Sequence, residues 1–191
     1  MQPPRERRRP GRRIGPVTDP SPEAAELLDT LAAFSDGEPF NVFKALAHDP
    51  TGARRAVALG NRLLLEGSLD ARLREIVILR VAANTASRYE WGQHDVMARS
   101  AGLDGEEVAD LALPEPRGAW TDDERHLLRA VDELCDDDCV GDATWAALAE
   151  RWSEPELVEL LLLVGFYRML AGFLNSAGVE ADPGLPGWPE G

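Results

Sequence analysis

The 191-residue sequence predicts an all-α protein with one domain. Three observations point there. Apolar residues recur with a period near 3.6 rather than 2, helix-start signals are frequent, and strand-type punctuation is nearly missing. The hydrophobic fraction of 44% suffices for a substantial core at this length.

Taken in order, Ser21 before Pro22 and Glu23 reads as an N-cap with proline at the first helical position, opening a helix to about Phe34. Asp49 and Pro50 repeat the device for a helix that runs to a stop at Gly67. Ser68 is expected to cap the segment "LDARLREIVILRVAANTA", in which Leu69, Leu73, Ile76, Val77, Arg80 and Val81 share a face. A polar junction at residues 84–87 separates it from a helix over about 88–101, stopped by Gly102. Asp104 with Glu107, Thr121 with Glu124, and Ser153 with Glu156 have capping-box spacing and start three more helices. Asp142 can cap a short helix to about Trp152. The last helix, 154 to about 177, is apolar nearly all round, with Glu159 expected to face water. Such a helix is central or covered by another subunit, so a homo-oligomer is expected. Glu159 and Arg168 leave only residues 160–167 uncharged between them, too short to span a bilayer.

Three parts are expected: a disordered basic arm (1–20), a helical domain (21–180) and a flexible Pro/Gly tail (181–191). The net charge of -14 disfavours nucleic acid, whose phosphates require a basic surface. The arm concentrates six arginines within residues 1–13 and has no apolar stretch of the signal-peptide kind. A solvated tail is its expected role. With two cysteines and no export signal, the cytoplasm is the expected location, with no membrane partner.

The chemistry centres on "SRYEWGQH", residues 87–94. Glu90 and His94 are four apart and leave one helix face together. They sit among bulky apolar residues, where polar groups need a reason to be. Glu75, on the preceding helix, approaches them if the two helices pack antiparallel. Arg80 and Arg88 flank this region and can grip a substrate carboxylate or pair with an acidic neighbour. Tyr89, Trp91, Tyr167 and Phe43 can wall a pocket or simply fill the core. His48 suits a structural place at a helix end. Cys135 and Cys139, in "CDDDC", lack redox Cys-x-x-Cys spacing, and structural roles are expected for them. No motif supports a nucleotide, flavin or metal, so no cofactor is expected.

The segment "ARLREIVILRVAANTASRYEWGQHDVMARSAG" resembles the carboxymuconolactone decarboxylase family, which shares its fold with alkyl hydroperoxidase D. The resemblance is strongest over residues 41–110 and extends to about 180. It implies an alkyl hydroperoxidase D-like domain of about seven helices that assembles as trimers or hexamers. In the peroxidase branch, Cys-x-x-Cys is followed by a histidine four residues on, with a glutamate nineteen before it. Here Ser87 and Glu90 stand at the cysteine positions, while Glu75 and His94 match. Thiol peroxidase chemistry needs an attacking thiolate and a resolving partner, so it ranks third. The decarboxylase branch also lacks the cysteines and places a carboxylate four before the histidine. The resemblance therefore implies a cofactor-independent lyase or isomerase acting on a small carboxylated lactone or related enolisable compound. In that reading His94 is the acid/base, Glu90 orients it and holds its tautomer, Glu75 relays protons, and Arg80, Arg88, Tyr89 and Trp91 bind substrate. The alternative is a non-catalytic member that binds a small ligand or only oligomerises.

Overall fold

The computed structural model describes residues 11–33, 35 and 37–189. Among them it contains helices and no strand: α1 (Pro22–Ala32), α2 (Asn41–Leu46), α3 (Pro50–Leu65), α4 (Ala71–Thr85), α5 (Arg88–Ser100), α6 (Gly105–Leu111), α7 (Asp122–Asp137), α8 (Asp142–Arg151) and α9 (Glu154–Ala177). The three expected capping boxes are all formed, at Asp104, Thr121 and Ser153. The short α2 has no start signal in the sequence, because no side chain caps it at Phe40.

The bundle is built around α4, which packs against α5, α6, α7 and α9. Its residues 75–83 are all buried, so the helix has no water-facing side over that stretch. Val77, Ile78 and Val81 join Leu127, Val131, Leu148, Leu160, Leu163 and Val164 on the side of α7, α8 and α9. Ile76, Leu79 and Ala82 join Trp91, Leu103, Val108, Leu111 and Trp120 on the side of α5 and α6. Each fully buried aliphatic side chain contributes about 1.5–3 kcal/mol of transfer free energy.

Two local expectations change. Ser68 does not cap α4; the carboxylate of Asp70 does, accepting from the Arg72 N–H. The backbone N–H groups of Ser68 and Leu69 donate instead to Glu159, at 2.8 and 3.0 Å. Glu159 is consequently buried rather than turned to water, because two otherwise orphaned donors require an acceptor. The exposed side of α9 carries Val158, Leu162 and Met169 instead. By length and composition α9 could cross a membrane, but half of its most apolar window is buried inside the bundle.

Packing also extends past the expected domain limits. The N–H groups of Arg13 and Ile14 donate to the carbonyl of Ala177, and that of Val17 to Lys44. Residues 11–17 thus satisfy carbonyls at helix ends and are not a free arm; residues 1–10 lie outside the described part. A Cβ on Gly178, which has φ +68°, would fall 2.6 Å from the Gly11 carbonyl oxygen, so this close approach needs glycine. At the other end, Asp182 accepts from the Asn41 N–H at 2.9 Å and so caps α2 from afar. Trp188 stacks on Trp91 with ring centroids 4.6 Å apart. The segment expected to be a flexible tail is fastened as far as Trp188.

Burial pushes the Glu159 carboxyl up, but the N–H groups of Leu69 and Ser68 outweigh it and hold the group below the ordinary carboxylate value. Its contribution is therefore present above the carboxylate range and disappears as pH falls through it. Glu159→Ala should lower stability at pH 7 by about 2–3 kcal/mol through two unpaired N–H groups, and Glu159→Gln by less. Urea titrations should show the Glu159→Ala deficit shrinking in acid.

Candidate active site

The site starts from a sharp reversal. Ala86 closes α4 in the left-handed region at φ 52°, and the Ser87 N–H returns to the carbonyl of Ala82 at 2.8 Å. The α5 helix follows at once and lies along α4. This brings His94 beside Glu75, nineteen residues earlier.

Glu75 is fully buried. The Nδ1–H of His94 donates to its Oε2 at 2.7 Å, and the Nε–H of Arg74 donates to its Oε1 at 3.2 Å. With Glu75 ionised, the imidazole proton is held on Nδ1 and the lone pair is left on Nε2. The tautomer is thus set by Glu75, not by Glu90 as the resemblance implies. The reason is tertiary: Glu75 approaches the ring from another helix, whereas Glu90 only precedes it by one turn.

Tyr167 of α9 meets the His94 ring edge-on, with centroids 4.9 Å apart. Burial drives its phenol well above the ordinary range; the charges of Glu75 and Glu90 add to this and Arg74 opposes it. Tyr167 therefore lies close to all three side chains. Glu90 is itself buried, and neither carboxyl oxygen has a hydrogen-bond partner among the described residues. Burial pushes it up to about 8, with the hydroxyl of Ser87 working weakly the other way. At neutral pH Glu90 is a neutral acid. Ser87 is buried as well; its hydroxyl is near enough to Glu90 to affect its titration but makes no hydrogen bond of good geometry among the described residues.

Of the predicted site residues, Glu75, Glu90 and His94 come together. Arg80, Arg88, Tyr89 and Trp91 do not join them. Arg80 spends all its donors on a structural clamp: Asp132 at 2.6 and 2.9 Å and the carbonyls of Leu111, Leu113 and Pro114. Arg88 is exposed at the first position of α5. Tyr89 bonds Asp182 through its hydroxyl, which also receives the Val42 N–H at 3.2 Å, so it ties down the C-terminal segment. Trp91 lies in the α5–α6 core under Trp188. Helical spacing could not separate these outward and core-facing positions from the site face.

Arg74 carries no signal in the sequence that would mark it. Adjacent helical positions do not face each other, so nothing local ties it to Glu75. Cys135 is partly buried and Cys139 exposed, and the two thiols are not joined. Burial pushes the Cys135 thiol up, away from reactivity. Among the described residues no group of three or more His, Cys, Asp or Glu side chains is arranged to hold a metal ion.

The site is thus a buried Glu75–His94 pair beside a neutral Glu90 within an all-α bundle. Residues 50–133 match the model of the carboxymuconolactone decarboxylase family. No curated protein matches it. Similar folds occur in a peroxidase-related protein from Ralstonia eutropha JMP134, with the alkylhydroperoxidase AhpD core (TM-score 0.76, 22% identity, 89% of this chain and 93% of that one). Another peroxidase-related protein, from Silicibacter sp. TM1040, gives a TM-score of 0.77 at 16% identity, over 91% and 94% of the two chains. The debrominase Bmp8 gives 0.72 at 11% identity, over 89% and 92%. At these identities the likeness is one of fold.

Glu90 is raised above its unfolded value of 4.5, so the ionisation-linked cost of its burial is zero below that pH, increases up to about 8, and is constant above. Glu90→Gln should therefore become more stable than the parent as pH rises through this window. The gain should level off at about 3–5 kcal/mol. Chemical denaturation from pH 5 to 9 measures it; a difference independent of pH would contradict a neutral Glu90.

Proposed function

We propose that this protein is a cofactor-independent acid–base enzyme, a lyase or isomerase acting on a small carboxylated lactone or a related enolisable compound. The observation that carries the reading is the buried Glu75–His94 hydrogen bond at 2.7 Å, facing a site from which both peroxidase cysteines are replaced, by Ser87 and Glu90. Without those thiols, peroxide reduction has neither its nucleophile nor its resolving group. Proton transfer has everything it requires.

In decarboxylation next to a conjugated carbonyl, the C–CO₂ bond breaks and its electron pair flows into the carbonyl to give a dienolate. Neutral Glu90 donates a hydrogen bond to the oxygen that gains charge. His94 first takes a proton from solvent on Nε2 and then delivers it to carbon, returning to the neutral ring, while Glu75 holds Nδ1–H and stabilises the transient charged form. For an enolisable compound that is only isomerised, His94 Nε2 first removes the proton and then returns it at the new carbon. The fold also serves the debrominase Bmp8, which binds 2,3,4-tribromopyrrole, a single small ring in the size class of a lactone.

A homo-oligomer in the cytoplasm belongs to the same proposal. The exposed row of Val158, Leu162 and Met169 on α9 supports self-association, since a long apolar strip on a soluble bundle calls for a cover.

His94→Gln should keep the fold and lower turnover of carboxylated lactones by about 10²-fold or more, followed by absorbance. Hydroperoxide consumption with a thiol reductant should remain at background and be unchanged in Cys135→Ser. Ligand-induced melting shifts without any product, and insensitive to His94→Gln, would favour a binding protein.

A further inference from the structure

We propose that Arg74 is the residue that recognises the substrate, gripping a carboxylate with the outer edge of its guanidinium. The inference rests on the acid–base reading of the site and names what selects its substrate.

Arg74 donates through Nε alone, to Glu75 at 3.2 Å. Among the described residues neither Nη1 nor Nη2 has a hydrogen-bond partner. That leaves intact the two-pronged edge that matches a carboxylate in bidentate fashion. A guanidinium already tied to Glu75 is fixed in place, so little side-chain freedom remains to be lost on binding.

The neighbouring arginines offer no such edge. Arg80 is consumed by Asp132 and three carbonyls. Arg72 bridges Glu107 and Glu124 and reaches the Gly102 carbonyl. Arg99 is engaged with Asp95. Arg88 is exposed and shares no partner with the Glu75–His94 pair.

Position completes the argument. The Arg74 side chain is 16% exposed, whereas that of Glu75 is 0% and that of His94 8%. Arg74 is thus where the buried group meets solvent, and its charge is felt at Tyr167 together with that of Glu75. An anion docked on its free edge is held at the mouth of the site with the rest of the molecule directed toward His94 and Glu90. The carboxylate of Glu75 repels an anion that goes deeper, which fixes the order of approach. Neutral Glu90 adds no repulsion.

The test compares γ-butyrolactone-γ-carboxylate with its uncharged methyl ester, by isothermal titration on the full chain. The parent should bind the acid about tenfold or more tightly than the ester, and Arg74→Gln should bring the ratio close to one. Arg74→Lys, which keeps the charge but not the fork, should retain only part of the preference, and it decides the matter if Arg74→Gln loses its helical circular dichroism. Arg88→Gln should behave as the parent does. A preference that survives in Arg74→Gln, or an acid that fails to bind the parent at ~10 mM, overturns the proposal. The two readings fail separately. Arg74-dependent binding without turnover in any lactone removes the enzyme reading and leaves the anchor. Equal kcat/KM for acid and ester removes the anchor and leaves the acid–base chemistry.

Discussion

A carboxylate buried in the middle of a helical bundle is the constraint on which this structure turns. Glu75 lies on α4, the helix around which α5, α6, α7 and α9 pack, and it has no access to water. An unpaired charge there would cost several kcal/mol. The bundle meets the cost with two donors, His94 from α5 and Arg74 from the preceding position. For His94 to reach it, α5 must fold back along α4 without delay, and Ala86 takes up a left-handed conformation to allow this. A non-glycine residue there costs about 1–2 kcal/mol, offset by the two backbone hydrogen bonds that the turn makes to Ala82 and Ala83.

The same economy governs the other buried charges. Arg80 binds the α6–α7 loop to α4 through three carbonyls and Asp132, and Glu159 of α9 closes the turn before α4. Both are clamps between elements that hydrophobic contact alone would leave free to slide. Glu90 is the exception. It is buried with no hydrogen-bond partner among the described residues and avoids the cost of a buried charge by keeping its proton, a state useful to an acid and of no use to a clamp. The contrast between clamped charges and one neutral, unsatisfied acid distinguishes the candidate site from the rest of the polar interior.

The chain's ends reinforce α5 from outside. Asp182 joins Tyr89, Gln93 and the start of α2, and Trp188 covers Trp91, so the outer face of the site helix is fastened by the segment that follows α9. Residues 11–17 do the same for the end of α9 through Ala177. Pro- and Gly-rich composition suggests freedom at both ends, and the packing overrides it. Composition reports on local stiffness, not on whether a carbonyl or an aromatic face nearby lacks a partner.

By itself the sequence determined the all-α class, the capping boxes at Asp104, Thr121 and Ser153, and the shared face of Glu90 and His94. These features are set within a few residues, by hydrogen bonds and by the 3.6-residue period. It placed Glu75 near that face only if α4 and α5 pack antiparallel, and the Glu75–His94 hydrogen bond shows the two brought together. Tertiary structure alone decided which cations are free. Arg74, Arg80 and Arg88 look alike in the sequence, yet one donates a single N–H to the buried Glu75, one is a clamp and one faces water. Only α5, α6 and α7 packed around α4 determine which acceptors each guanidinium finds. The same holds for Glu159, whose partners are the backbone N–H groups of Ser68 and Leu69, about ninety residues away and invisible to any local pattern.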